Sequence, residues 1–185
     1  MVRSVLVILL AATPTFAQDD WFKKSVKSVE ASFDPATAAP GQTVKFRLTI
    51  ELNDGYHTYP TVQPDKNAAF QINTFDFPTP GGVIFVGPVK DPAKPDIKAE
   101  PMLGIKELRT YKGIVTYEKT AVVSPKAAAG ELKVELKSFS LNVCDKDSCY
   151  GPKKLTPTAK VTVKGAPVEV EKAWAAEVEK ALASK

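Results

Sequence analysis

Hydrophobic and polar residues alternate most cleanly over residues 43–52. Val44, Phe46, Leu48, Ile50 and Leu52 share one parity, and Thr43, Lys45, Arg47, Thr49 and Glu51 share the other. A period of two predicts a strand with one face buried and one in water. Asn53-Asp54-Gly55 then reads as a turn, because glycine accepts the positive φ of a tight turn, and residues 56–62 are expected to return as the hairpin partner. Strands are also predicted over 70–77, 83–86 and 113–124. Leu132, Val134 and Leu136 alternate, after which the parity changes to Phe139, Leu141 and Val143. That slip predicts a β-bulge near Lys137-Ser138, which would re-aim the chain leading into Cys144. Leu155, Pro157, Ala159, Val161 and Val163 alternate again in a last strand, and Pro157 places its start at an edge or an irregularity.

Residues 87–104 hold Pro88, Pro92, Pro95 and Pro101, a density that forbids a central strand and predicts a long loop, either functional or a plain connector. Past Gly165 the period lengthens. Val170, Trp174, Val178 and Leu182 recur every four residues, predicting an amphipathic C-terminal helix that packs on the sheets or docks a partner. Strands separated by turns, closed by one helix, predict an all-β antiparallel sandwich.

The first residues change the picture of where the chain works. Arg3 precedes an apolar run from Ser4 to Ala12, and the small residues Thr15 and Ala17 follow. This predicts a secretory signal peptide, residues 1–17, cut after Ala17. The run is too short to cross roughly 30 Å of hydrocarbon. The expected layout is a leader, a sandwich over 18–165 and a helix over 166–185. The product is expected to be periplasmic or secreted, without stable membrane insertion. Net charge is +4, but the 25 basic and 21 acidic residues are interleaved, so nucleic acid is not an expected partner. With 2 Cys and 1 His, a four-cysteine zinc site is excluded, and a serine–histidine hydrolase would have to use His57.

Export makes Cys144 and Cys149 a disulfide pair, since oxidising compartments favour the bond and no other partner is present. The ring they close is very small, and loop entropy gives such a ring less stabilisation than a long one. The pair therefore leans toward chemistry. Exchange needs an accessible sulfur, an attacking thiolate and a second thiol that resolves the mixed disulfide. Lys146 would lower a thiolate pKa, whereas Asp145 and Asp147 would raise it or merely be solvated turn residues. His57 titrates near neutrality and either assists proton transfer or is a satisfied strand histidine. The tyrosines at 56, 59, 111 and 117 serve equally well as sandwich packing.

Four stretches together resemble the N-terminal periplasmic domain of the transmembrane thiol:disulfide interchange reductase DsbD. They are Asp54-Gly55-Tyr56-His57-Thr58-Tyr59, Tyr111-Lys112-Gly113-Ile114-Val115, Gly130-Glu131-Leu132, and the segment from Cys144 through Tyr150 to Pro152. The resemblance spans residues 26–164. It implies an immunoglobulin-like sandwich whose redox pair, Cys144 and Cys149, relays electrons without a cofactor or metal. Cys149 would bond to the partner and Cys144 would resolve. Tyr56, His57, Tyr59 and Tyr150 would lie near the site, and the segment Glu100-Pro101-Met102-Leu103-Gly104 would form a shielding cap. Implied partners are exported thioredoxin-fold proteins and a separate membrane-bound electron donor, because the membrane-spanning and thioredoxin-like domains of that family have no counterpart here.

This chain departs from the family pattern in a shorter inter-cysteine tip and in lacking the cap aromatic, with Met102 or Leu103 nearest in position. A competing expectation is therefore a non-catalytic immunoglobulin-like binding module whose disulfide only stiffens a hairpin. Copper handling by Cys144, Cys149 and Met102 is a third, thinly supported by one His and the single Met beyond the leader.

Overall fold

The chain runs through thirteen strands, two α-helices and two single-turn 3-10 helices among the residues that the computed structural model describes, 20–184. The leader read over residues 1–17 lies outside them. In chain order the elements are α1 (Asp20–Ser25), β1 (Val26–Asp34), β2 (Thr37–Ala38), β3 (Thr43–Leu52), β4 (His57–Thr58), β5 (Thr74–Asp76), β6 (Val83–Lys90) and β7 (Asp96–Glu100). There follow β8 (Ile105–Thr110), β9 (Ile114–Val123), β10 (Gly130–Glu135), β11 (Ser138–Cys144), β12 (Cys149–Leu155), β13 (Thr158–Val163) and α2 (Lys172–Ala183).

One layer is the antiparallel sheet β1-β3-β9-β6. The other combines β10-β13-β2 with β12-β11-β4, and β5 extends β11. The fold is an all-β, immunoglobulin-like sandwich with a C-terminal helix. Its core lies between the layers. Val44, Phe46, Leu48 and Ile50 of β3, with Tyr117 and Ala121 of β9, meet Phe139, Leu141, Ala159 and Val161 of β11 and β13. The alternation of β3 is thus realised as buried and half-exposed faces. All pairings are antiparallel except β13 with β2, where Thr162 lies beside Thr37 in parallel register.

Several expectations are corrected. Residues 56–62 do not return along β3, which is already paired on both edges by β1 and β9. After the turn, where Gly55 adopts φ +86° as expected, the chain crosses to the other layer, and only His57 and Thr58 form a strand, on β11. The parity slip near Lys137-Ser138 is a change of sheet rather than a bulge: β10 ends at Glu135, and β11 begins at Ser138 in the other half of the layer. The bulge comes later, between Leu141 and Val143. The last alternating run is likewise split at Thr156-Pro157 into β12 and β13.

The predicted loop over 87–104 contains the end of β6 and all of β7. Its prolines still act as expected, since β6 is an edge strand whose register shifts between Val86 and Val89, around Pro88. The strand at 70–77 shortens to Thr74–Asp76.

The C-terminal helix packs on the sandwich. Val178 is buried, and Trp174 and Leu182 partly so, against Ile84, Val86 and Val122 on the outer face of the first sheet. The segment before it is pinned at Gly41, where a side chain would collide with the Val168 carbonyl oxygen at 2.0 Å. Leu48→Ala, a fully buried truncation at the centre of β3, is expected to cost about 2–5 kcal/mol, read as a lower midpoint with an unchanged slope in urea unfolding.

Candidate functional site

Cys144 closes β11 and Cys149 opens β12, and the two face each other across the strand pair. They form a disulfide with Cα atoms 4.0 Å apart. The tip between them is folded by Asp145, whose Oδ1 accepts from the backbone N–H groups of Asp147 and Ser148 at 2.8 and 2.7 Å. Its other oxygen accepts from the Tyr150 hydroxyl at 2.7 Å. These bonds, led by that of Tyr150, hold the Asp145 carboxyl below its ordinary pKa and raise Tyr150 above its own. Asp145 is a turn organiser, and Lys146 pairs with Asp147 rather than with a sulfur.

The two sulfur-bearing residues live in different surroundings. Cys144 is 2% exposed, in a small second core with Tyr59, Ala68, Ile105 and Leu108. Cys149 is exposed. The Tyr59 hydroxyl lies 2.7 Å from Cys144 Sγ and 3.6 Å from Cys149 Sγ. A disulfide sulfur carries no hydrogen, so Tyr59 is the donor to Cys144. Burial, and then the charge of Glu100, push the Tyr59 phenol up to about 12, so it keeps its proton at neutral pH. His57 Nε2 lies 3.4 Å from the same hydroxyl, with the rings edge to face. Burial, then Lys98 and Lys112, lower the His57 pKa.

A buried polar node fixes Tyr59. The Asn73 side chain is fully buried, and its Nδ2 lies 2.8 Å from Thr58 Oγ1, 2.8 Å from the Tyr59 carbonyl oxygen and 2.7 Å from the Tyr117 hydroxyl. Its Oδ1 accepts from the Asn142 backbone N–H at 2.8 Å, at the bulge of β11. Thr58 Oγ1 donates to the Asn142 carbonyl at 2.6 Å. One amide thereby ties the tyrosine strand to the cysteine strand and to the core tyrosine of β9.

Two depressions flank the disulfide. One of about 200 Å³ is lined by His57, Glu100, Leu103, Cys144 and Cys149 among others. The other, about 70 Å³, is lined by Tyr59, Phe70, Gln71, Cys144, Cys149 and Tyr150.

The residues expected near the site distribute unevenly. Tyr59 and His57 reach it. Tyr150 flanks it and stacks on Trp21 at 5.5 Å between ring centres, and Tyr56 packs 6.4 Å from Tyr150 toward the main core. The segment expected as a cap is the tip of the β7–β8 hairpin. There Leu103, 56% exposed, lines the larger depression, while Met102 is 100% exposed and covers nothing. Cover over Cys144 comes instead from Tyr59, Ile105 and Leu108. The sequence reading missed Asn73, Gln71, Phe70 and Trp21. Asn73 left no distinct signal, since it is one of several polar residues, with Gln71, Thr74 and Asp76, interleaved with apolar ones over 70–77.

No family model matches the chain, and no curated protein does. Among solved structures, the N-terminal periplasmic domain of ScsB from Proteus mirabilis is similar over 84% of this chain and 51% of that one, at 14% identity and a TM-score of 0.42. The chain thus spans about half the length of that structure. A chain of the Coh-OlpA-Doc918 cohesin–dockerin complex from Clostridium thermocellum is similar over 75% of this chain and 100% of that one, at 12% identity and a TM-score of 0.35.

Two outcomes follow from the site's polar groups. Asn73→Ala removes the amide donor to Thr58 Oγ1, the Tyr59 carbonyl and the Tyr117 hydroxyl and takes from the Asn142 backbone N–H its acceptor, and is expected to cost about 1–3 kcal/mol in urea unfolding. The His57 pKa lies below its ordinary 6.5, so the unfolded chain binds more protons in the window between the two values, and stability rises with pH there. His57→Gln is expected to flatten that rise, measured as urea midpoints at steps between about pH 5 and pH 7; an unchanged slope contradicts the assignment.

Proposed function

We propose that this protein is a thiol-disulfide exchange protein whose redox pair is Cys144–Cys149. The observation that carries this reading is the unequal setting of the two sulfurs. An incoming thiolate reaches exposed Cys149, while buried Cys144 has a hydroxyl donor in place where negative charge would develop. A disulfide that served only as a clamp needs neither asymmetry.

In the reducing half, a partner thiolate attacks Cys149 Sγ. A mixed disulfide forms, the Cys144–Cys149 bond breaks, and its electron pair leaves on Cys144. The Tyr59 hydroxyl donates to that thiolate, which lowers the leaving thiol's pKa and speeds departure. The partner's second thiolate then attacks its own sulfur in the mixed disulfide and frees Cys149, leaving the partner oxidised and the pair reduced. In the delivering half, the Cys149 thiolate attacks a client disulfide. Cys144 then attacks Cys149 Sγ, which restores the internal bond and releases the client with both electrons.

The partners that fit are exported proteins of the thioredoxin fold, with a separate membrane-bound donor upstream. Supporting this setting are the DsbD-like motifs of the sequence and its secretory leader pattern. No helix among the described residues is long and apolar enough to cross a membrane.

Cys144→Ala leaves Cys149 without its internal resolving thiol, so a mixed disulfide is lost only by return attack of the partner's second thiol. This variant is expected to accumulate a covalent adduct with an oxidised thioredoxin-fold protein, seen as a thiol-sensitive band on non-reducing gels. Cys149→Ala, whose remaining sulfur is buried, is expected to give at least about tenfold less. Equal trapping by both variants, or by neither, would overturn the exchange reading and leave a binding module with a structural disulfide.

A further inference from the structure

Resolution of the mixed disulfide requires Cys144 to lose its thiol proton inside a pocket that offers it little water. Cys144 is 2% exposed, and its sulfur touches one hydroxyl, that of Tyr59. Tyr59 cannot itself be the base at neutral pH, since a phenol is a weak acid and its conjugate base scarcely forms there. The same hydroxyl stands 3.4 Å from His57 Nε2, and His57 is the only histidine in the chain. His57 lines the larger depression, which opens to solvent beside Cys149. The three groups form a line from buried sulfur to accessible imidazole.

The polarity of that line depends on the redox state. With the disulfide formed, Cys144 can only accept, so Tyr59 donates to it. With the pair reduced or Cys149 in a mixed disulfide, the Cys144 thiol can donate to the Tyr59 oxygen, which frees the phenolic hydrogen to point at His57 Nε2. We infer that His57 is a positioning residue of the exchange reaction, drawing the Cys144 thiol proton through the Tyr59 hydroxyl as Cys144 attacks Cys149. The inference rests on the exchange reading above.

The step balances. A Cys144 electron pair forms the bond to Cys149 Sγ, and the bond from Cys149 to the client breaks, with its pair leaving on the client sulfur. The thiol hydrogen passes to the Tyr59 oxygen as the phenolic hydrogen passes to Nε2. The resulting imidazolium gives its proton to water or to the departing thiolate.

Groups from every neighbouring element bear on this imidazole. Lys98 and Glu100 of β7 face it, as do Lys112 before β9 and Asp145 of the cysteine tip. Lys98 is paired with Glu100 at 2.7 Å and Lys112 with Asp96 at 2.9 Å. The two cations oppose a charged imidazole and the two carboxylates favour one, with burial tipping the balance toward the neutral form. A neutral imidazole at neutral pH is the form that can accept a proton, and a low pKa lets it release that proton quickly.

The test uses the reduced protein and an aromatic disulfide that releases a coloured thiolate. The first release reports attack by Cys149. The second is unimolecular and reports resolution by Cys144. Its rate is followed from about pH 5 to about pH 9 in wild type, His57→Gln and Tyr59→Phe, with thermal midpoints confirming that each variant is folded. The wild-type resolution rate is expected to rise through an inflection below pH 6.5, the ordinary histidine value, and then level. In His57→Gln the inflection is expected to move up to the thiol's own ionisation, with a rate near neutrality lower by at least about tenfold. Tyr59→Phe is expected to do the same, and the double variant to lose no more than either.

A His57→Gln profile that superimposes on wild type overturns the inference, as does one lowered equally at every pH with its inflection in place. Either result leaves the exchange reading standing. Absence of a second release in wild type removes both together.

Discussion

The buried amide of Asn73 is the constraint on which the site depends. Burying a polar side chain away from water is unfavourable unless its donors and acceptor are all met, and here they are met by three separate parts of the chain: the segment at Thr58-Tyr59, the bulge at Asn142 and the core tyrosine of β9. Because those bonds must form together, the strand carrying Tyr59 cannot slide along β11 by one residue. A slip would turn Thr58 and His57 to opposite faces and leave the node unsatisfied. The bulge between Leu141 and Val143 belongs to the same arrangement, since Asn142 supplies both the backbone donor and the carbonyl acceptor. The position of the Tyr59 hydroxyl against Cys144 is thus fixed by interior hydrogen bonding, not by a surface loop.

From that placement comes the chemical polarity of the disulfide. A cross-strand pair would ordinarily present two similar sulfurs. Here one side is packed against Tyr59, Ile105 and Leu108, and the other is open between two depressions. In the exchange proposed for this pair, attack from solvent is directed to Cys149, and the charge that leaves falls on Cys144, where a donor is already oriented and needs no reorganisation. The cover lies on the buried member alone, so the absence of an aromatic at Met102 does not leave Cys144 exposed.

The sequence was most legible where one physical signal dominates. The alternation of β3, the strand over 113–124 that is β9, and the four-residue recurrence of the terminal helix each follow from burial of one face, and each is present. Other elements were ambiguous for identifiable reasons. In β1 the register shifts between Val26 and Ser28, which breaks the parity of its apolar residues and hides the strand. A parity slip has the same one-dimensional form whether the chain bulges or changes sheet, so Lys137-Ser138 was misread. The turn at Gly55 was correct, but no local pattern says that β3 is already paired on both edges. At the site, the cysteines and Tyr59 could be named from motif and chemistry. Asn73 could not, because its importance lies in partners between 14 and 69 residues away in the chain.

The most direct measurement is the equilibrium between the Cys144–Cys149 disulfide and defined glutathione or dithiothreitol buffers, read by alkylation of the freed thiols. Stabilising the Cys144 thiolate favours the reduced form, so exchange chemistry requires a reduction potential of roughly −180 to −270 mV. A potential well below about −300 mV would mark a bond that the exchange pool cannot open, and would contradict the assignment of this disulfide as a redox pair.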